Sequence, residues 1–214
     1  MHRSSGFTTI PLWLDLGGLR VVHACWHQDS IDIAENLCGT STPFGEVKHL
    51  VAASTKDHPL YRAVETLLKG PEISLIEHDQ PEYHDKDGHP RDSARVRWWN
   101  SEARTLRDLA LIEGNFTTAA GAPYPLLPEL ELSASDQTYV YPPGVPVFYG
   151  HYWRQGPPKH RHDWTDYTAC VDFSAVKGGA LTAYRWSGEK QIRPDHYVSA
   201  SSRPPTSAAI RPCG

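Results

Sequence analysis

Apolar and polar positions alternate at the start of the chain, and this pattern predicts two short strands around a turn. The segment PLWLDL at residues 11–16 places large apolar side chains at alternate positions. Gly17 and Gly18 then turn the chain, and LRVVHA at residues 19–24 has the apolar character of a second strand. We therefore expect an antiparallel pair here, with a histidine at the end of its second strand.

Helical spacing of apolar residues appears three times in the first half of the chain. Residues 30–37 predict a short helix with Ser30 as its N-cap. Residues 59–69 predict the clearest helix, which ends at the Gly-Pro pair that begins with Gly70. One face of it carries four apolar side chains: Leu60, Val64, Leu67 and Leu68. Residues 101–110 predict a third helix.

The middle of the chain predicts a hairpin followed by a long connection. Residues 73–75 are apolar, Asp87 and Gly88 form a strong turn signal, and residues 94–99 alternate as a strand does. Residues 117–144 are rich in proline, alanine and serine and predict a surface connection. Regular structure should therefore resume only after residue 144.

Three apolar segments in the second half predict buried strands, at residues 145–151, 167–174 and 180–186. With the earlier helices they indicate an α/β or α+β fold built mostly from short strands. The final segment, residues 199–214, is poor in apolar side chains and predicts a disordered tail after a single domain at residues 1–198.

Composition excludes several classes of protein. The 214 residues carry a formal charge of −4 and no basic tract, so we expect no nucleic-acid binding. No apolar run reaches the roughly 20 residues that cross a bilayer, and the N-terminus lacks the apolar core of a secretory signal. The four cysteines lie far apart, without the spacing of a zinc knuckle or a disulfide framework. A cytoplasmic chain without membrane contact is the expectation.

Histidines stand at the ends of two predicted strands and are the first candidates for chemistry. His23 ends the second strand, and His151 follows Gly150 at the end of a later one. A neutral imidazole at a strand end can bind a metal, although it can equally bond only to nearby backbone. His27 is either a third contact or a polar residue at a corner between strand and helix.

Other polar clusters offer weaker candidates. The segment HDKDGH at residues 84–89 resembles a metal loop, but it lacks the glycine and glutamate of a calcium-binding loop and fits a polar hairpin tip. The segment HRHD at residues 160–163 fits a solvated loop. Asp172 and Ser174 follow a predicted strand, where they could line a pocket or cap a turn.

Three motifs in order resemble the C-terminal portion of a calcineurin-like metallophosphoesterase. They are PLWLDLGGLRVVHACWH, then GHYW, then TACVDFSAVKGGALTAYRW. The similarity covers residues 7 to about 198, and the branch it points to contains bacterial phosphoprotein phosphatases and diadenosine tetraphosphatases. It implies part of a β-sandwich flanked by helices, without the N-terminal strands of that family.

The resemblance also implies a site and a reaction. His23 and His151 would bind one metal of a two-metal centre, with manganese or iron expected. Two cations about 3.5–4 Å apart would activate a hydroxide for attack on a phosphate ester. The substrate would be a phosphorylated small molecule, such as a dinucleoside polyphosphate, or a phosphoprotein. Tyr152 and Arg154 are possible substrate contacts, and His27 a possible third metal contact.

The chain also departs from the family. The motifs D-x-H, G-D-x-x-D-R and G-N-H-E, which supply the remaining ligands in that family, do not occur. Three explanations are open: a truncated gene product, one half of a split enzyme that pairs with an N-terminal half, or a degenerate relative without chemistry. We expect a C-terminal part of a phosphoesterase that is inactive alone. The alternative is a non-catalytic binding or interaction module.

Overall fold

The computed structural model describes residues 6–133, 136 and 139–201, in which the α-helices all lie before residue 110 and short strands occur along the whole range. The described residues form four α-helices: α1 (Gln28–Cys38), α2 (Val47–Ser54), α3 (Pro59–Lys69) and α4 (Leu106–Leu109). They also form eleven strands: β1 (Trp13–Asp15), β2 (Arg20–Val22), β3 (Glu72–Ser74), β4 (Tyr83–His84), β5 (Pro90–Arg91), β6 (Ser93–Val96), β7 (Ala110–Leu111), β8 (Val147–Tyr149), β9 (Thr168–Cys170), β10 (Ala180–Tyr184) and β11 (Tyr197–Ser201). This mixture confirms the predicted α+β character.

The largest sheet has four strands in the order β1-β2-β8-β9. Strand β1 pairs antiparallel with β2, as the alternation and the Gly-Gly turn predict. Strands β2, β8 and β9 run parallel to one another. Three parallel strands end at one edge of the sheet, so the residues that follow them are brought together there.

The two faces of this sheet are covered differently. One face places Trp13, Val22 and Tyr149 in the main core, which also contains the buried side chains of α1 and α3. The other face contains a smaller cluster around Phe148 and Ile192. The second face is less covered, because Leu14 on β1 is 41% exposed.

Helix α3 has the bounds that its sequence predicts. Pro59 occupies the first turn, where its missing N–H is not needed, and the His58 side chain accepts a hydrogen bond from the Leu60 N–H. The helix ends at Gly70, whose φ of 84° and ψ of 163° suit only glycine. Leu60, Val64 and Leu67 are buried, as the apolar stripe requires.

Two predicted helices differ from the observed ones. Helix α1 begins at Gln28, and His27 is its N-cap in place of Ser30, because the His27 Nδ1 accepts a hydrogen bond from the Ser30 N–H. The prediction of a helix over residues 101–110 is too long. Thr105 and Asp108 form a capping box that starts α4 only at Leu106, and β7 begins at Ala110.

The later strands and the hairpin follow the sequence closely. Strands β8, β9 and β10 lie within the three predicted apolar segments. The Asp87-Gly88 turn joins β4 to β5, and β3 pairs with β6 beyond that tip. Strand β11 continues to Ser201, and the rest of the predicted tail, residues 202–214, lies outside the described residues. Within the described range, no helix combines the length and apolarity that a bilayer crossing requires.

Candidate metal centre

Three parallel strands deliver two histidines and an aspartate to one edge of the four-stranded sheet. His23 follows β2 directly, His151 stands two residues after the end of β8, and Asp172 stands two residues after the end of β9. The three side chains line one cavity of about 300 Å³ with the strand ends. The structure thus brings together the two histidines that the resemblance implies for one site.

The two imidazole rings are neighbours. Their centroids lie 5.3 Å apart with an angle of 62° between the planes. The Gly150 N–H donates a hydrogen bond of 2.9 Å to the His23 carbonyl oxygen, which ties the two strand ends together. Gly150 also allows a close approach, because a Cβ there would lie 3.3 Å from the Cβ of Asp172.

The segment that carries His151 is strained. His151 has a φ of 74° and Trp153 a φ of 52°, both in the left-handed region that non-glycine residues rarely adopt. Two hydrogen bonds hold the segment in place: the Arg154 N–H donates to the Asp172 carbonyl at 2.9 Å, and the Ser174 hydroxyl donates to the Arg154 carbonyl at 3.0 Å. Strain of this kind concentrates at functional sites, where the surrounding structure maintains it.

The electrostatic environment keeps His151 neutral. Burial is the largest cause that lowers its pKa to about 4, and the neighbouring His23, Arg95 and Lys69 lower it further, against the opposing effect of Asp172. Metal binding requires a neutral imidazole with a free lone pair. His151 satisfies the first requirement at neutral pH, and the exposed His23 ring is open to solvent.

Comparisons with protein-family models, with curated proteins and with solved structures give no match. The resemblance to metallophosphoesterases therefore stays a prediction, and the functional argument depends on the geometry of the site.

The structure places His27 in a helix cap. Its Nδ1 lies 3.2 Å from the Ser30 N–H and 2.9 Å from the Ser30 hydroxyl, and its ring packs edge-on against Tyr139 at 4.5 Å. Burial lowers the pKa of His27, so the ring accepts hydrogen bonds as a neutral group. The sequence left two roles open for His27, a metal contact or a polar residue at a corner between strand and helix. The structure shows it at that corner, as the N-cap of α1.

Tyr152 packs into the core beside the site. Its hydroxyl accepts a 3.0 Å hydrogen bond from the Trp98 indole, and its ring lies 5.1 Å from that of Trp99. Burial raises the pKa of Tyr152 far above its ordinary value. Tyr152 therefore supports the segment next to His151. The structure shows a packing role for this residue, which the sequence analysis named as a possible substrate contact.

Arg154 lies in a buried group of charges. Its guanidinium contacts the carboxylates of Glu113 at 3.2 Å and Asp163 at 3.3 Å, donates to the His162 carbonyl at 3.2 Å, and stacks over Trp99 at 4.8 Å. Only 2% of the side chain is exposed. In this arrangement the guanidinium stabilises the segment after His151 and does not face solvent.

The histidine pair alone does not make up a metal centre. Among the described residues, no group of three or more His, Cys, Asp or Glu side chains is arranged to hold a metal ion. Two adjacent imidazoles fit the chemistry of manganese or iron as part of a mixed ligand set. They are too few for a binuclear centre, which needs bridging carboxylates to offset the repulsion between its cations.

The two other polar clusters have structural partners. In the hairpin tip, the Asp85 carboxylate accepts hydrogen bonds from the Asp87 and His89 N–H groups and from Arg91, as a polar turn does. The loop at residues 160–163 is not fully solvated as predicted, because Asp163 is only 1% exposed. Its carboxylate accepts a hydrogen bond from the Lys159 N–H.

Three charged residues near the site carry no local sequence signal. Glu113 stands in a connection between β7 and the proline-rich segment, and it reaches Arg154 and His162 across the fold. Lys69 and Arg95 lie on α3 and β6, and both influence His151. These residues stand far from His151 in sequence, so no local pattern indicates their influence on the site.

Proposed function

We propose that this chain supplies a two-histidine part of the metal centre of a metal-dependent phosphoesterase, and that it is inactive alone. The contact between the His23 and His151 rings at the carboxyl edge of parallel strands is the observation that carries the proposal. Two segments that are distant in sequence place imidazole rings side by side, and the segment that carries His151 is strained.

The ligands favour a divalent cation of the manganese or iron type. In this proposal His23 and His151 hold it through ring nitrogens, and the bound cation would polarise a phosphate ester. Asp172 adds a negative charge on the same cavity. The fold is then part of the phosphoesterase β-sandwich, and the substrate a phosphorylated small molecule or a phosphoprotein.

Activity requires more ligands than the described residues provide. Two observations support a centre completed by additional polypeptide, either in a longer gene product or in a separate N-terminal half. The aspartate motifs are missing from the sequence, and the part of the chain that the structure describes holds no group of three His, Cys, Asp or Glu side chains arranged for a metal. The same two facts favour the second candidate, a degenerate phosphoesterase-like module that binds without catalysis. Metal binding at the histidine pair separates the candidates.

The test measures manganese binding to the purified chain and its dependence on the pair. Paramagnetic Mn²⁺ broadens the NMR signals of the rings that bind it, so we expect selective broadening of His23 and His151. The variant His151→Ala should lose this binding, whereas His89→Ala, at the exposed hairpin tip, should keep it. Loss in His89→Ala with retention in His151→Ala would overturn the proposal in favour of the HDKDGH cluster.

A hydrolysis assay completes the test. We expect the chain alone to leave 4-nitrophenyl phosphate intact in the presence of Mn²⁺. Hydrolysis that disappears in His151→Ala would support the phosphoesterase site and show that the chain is active alone, against that part of the proposal. A chain that neither binds Mn²⁺ nor broadens at either ring is a module without a metal site.

A further inference from the structure

A second cavity in the fold is separate from the cavity at the histidine pair. Its volume is about 300 Å³, and residues from three stretches of chain form its walls: the turn at 99–102, the connection at 141–143 and the loop at 160–168. In the part of the chain that the structure describes, the two cavities share no lining residue. A volume at the lower end of the range for small-molecule sites suits a ligand about the size of one ring.

A buried hydrogen-bond donor at the second cavity has no partner. Trp99 lines the cavity and is 2% exposed, and its indole N–H makes no hydrogen bond within the described residues. Leaving a buried N–H unpaired is costly, so an acceptor oxygen in the cavity would stabilise it. The Trp99 ring already stacks with Tyr149 at 5.4 Å and with the Arg154 guanidinium at 4.8 Å. The N–H is therefore the group that Trp99 can still offer to a ligand.

Further polar groups and aromatic rings line the same cavity. The hydroxyls of Thr165 and Thr168 are joined by one hydrogen bond of 2.8 Å, which leaves the second hydroxyl hydrogen of the pair able to donate. Asp166 is exposed and adds two acceptor oxygens. Tyr141 and Tyr167 contribute ring surface. Donors, acceptors and aromatic surface are thus available to one ligand.

The charged side chains of the second cavity disfavour an anion. Arg161 contacts both carboxylate oxygens of Glu102, at 2.8 and 3.1 Å, so its charge is already paired. Asp166 is the third charged residue of the lining. One cation and two carboxylates leave a formal charge of −1, counting His160 as neutral. A negatively charged ligand would be repelled, and a neutral one would not.

We propose that the second cavity binds a neutral sugar ring. The proposal does not rest on the histidine pair or on a metal. Each hydroxyl of a sugar both donates and accepts, so neighbouring hydroxyls can accept from the Trp99 N–H and donate to the Asp166 carboxylate at once. The C–H face of the sugar packs against the rings of Tyr141 and Tyr167. A planar base binds largely by stacking, whereas the Trp99 ring already has its stacking partners.

The experiment titrates the full chain with two matched pairs of sugars: D-glucose with D-glucuronate, and D-galactose with D-galacturonate. The second member of each pair differs from the first by a carboxylate. NMR follows the indole N–H signal of Trp99, which is assigned by its loss in Trp99→Phe. We expect at least one neutral sugar to shift this signal saturably and to bind about fivefold more tightly than its carboxylate partner.

Variants at exposed positions test the ligand contacts without disturbing the core. Asp166→Ala should weaken binding of the neutral sugar about tenfold, through the loss of a hydrogen bond to a charged group. Asp92→Ala is the matched control, because Asp92 is exposed and does not line the cavity, and it should leave binding unchanged. Glu102→Gln removes the partner of Arg161 and brings the formal charge of the cavity to 0. The carboxylate sugar should then bind about fivefold more tightly, and the neutral sugar should change little.

The outcomes decide the proposal independently of Mn²⁺ binding at the histidine pair. If neither neutral sugar shifts the Trp99 signal, the proposal is overturned and water is left as the partner of the indole N–H. Binding that Asp166→Ala does not weaken, or that is as tight for the carboxylate sugars, also overturns it. Adenine is the planar comparison, and saturable binding of adenine in place of the sugars would make the cavity a base site. If Trp99→Phe does not fold, backbone assignment identifies the signal, and Asp166→Ala still decides the outcome.

Discussion

Gly70 shows how a single residue sets the distance between α3 and the His151 segment. Its φ of 84° and ψ of 163° lie in a region that side chains do not tolerate, and its α-carbon faces the Tyr152 hydroxyl. Tyr152 in turn receives the Trp98 indole hydrogen bond. A side chain at position 70 therefore disturbs both the backbone and the contact that supports His151.

The variant Gly70→Ala should lower the free energy of unfolding by about 3 kcal/mol or more, from backbone strain and overpacking together. Urea denaturation measures this loss. Gly178→Ala is the matched control, because Gly178 has a φ of 83° and open space around its Cβ position, so we expect about 1 kcal/mol there. Equal losses in the two variants would contradict a close contact at Gly70.

At the scale of elements, the loop before β9 is fixed to the segment after β8 by a group of charges. His162 donates hydrogen bonds to the carboxylates of Asp163 and, at 2.9 Å, Glu113. Arg154 contacts the same two carboxylates. Glu113, which is about 40 to 50 residues away in sequence, here meets Arg154 and the loop that carries His162 and Asp163. These contacts stabilise the strained segment that carries His151.

This group predicts a dependence of stability on pH. The hydrogen bonds to Asp163 and then Glu113 raise the pKa of His162 to about 9, above its ordinary value of 6.5. The folded state thus binds the proton more tightly, and the stabilisation is complete below pH 6.5 and lost as pH rises through about 9. Because 36% of the side chain is exposed, we expect a loss of about 1 kcal/mol after allowing for solvent screening.

Urea denaturation across this range measures the effect. The wild-type free energy of unfolding should fall between pH 6.5 and about 9, and the curve of His162→Gln should be flatter there. On the acid side, burial raises the pKa of Glu113, but the hydrogen bond from His162 and nearby arginines outweigh it and lower the value to about 2. The stabilisation from Glu113 is therefore present above pH 4.5 and lost as the pH falls toward 2. If the free energies of unfolding of the wild type and of His162→Gln changed in parallel with pH, the roles of both His162 and Glu113 would be contradicted.

Local signals predicted the elements better than their arrangement. The apolar stripe and the Pro and Gly boundaries gave α3 correctly, and alternation gave β1 and β2. The sequence analysis missed α2 and β11, which have weaker periodicity. Its prediction of Ser30 as a helix N-cap is wrong, because His27 is the N-cap and its side chain accepts the capping hydrogen bond. The convergence of His23 and His151 depends on parallel pairing between strands more than a hundred residues apart, which no local pattern encodes.

At the scale of the whole molecule, one face of the four-stranded sheet is incompletely covered. Leu14, Val21 and Phe148 are cross-strand neighbours on that face. Phe148 is buried under the cluster that includes Tyr184 and Trp186, whereas Leu14 is 41% exposed. A groove of about 340 Å³ runs between this face and β10. In the proposed enzyme, further strands would cover this surface.

An exposed apolar edge strand favours association between molecules. We therefore expect the chain alone to self-associate and to bind a hydrophobic dye such as ANS, measured by light scattering and fluorescence. Leu14→Lys should reduce both signals, because a lysine on an edge strand opposes pairing and the position is already partly exposed. Leu126→Lys, at a loop position that is 85% exposed, is the matched control and should change neither.

The same measurement tests whether the chain needs additional polypeptide. If the sheet face is normally covered, Leu14→Lys should lower dye binding without lowering the midpoint of urea denaturation, since little buried area is lost. A wild-type chain that is monomeric, melts in one sharp cooperative transition and binds no dye would show that the described layers are sufficient for a stable fold. The histidine pair would then belong to a self-contained module, because no further strands would be required to complete its core.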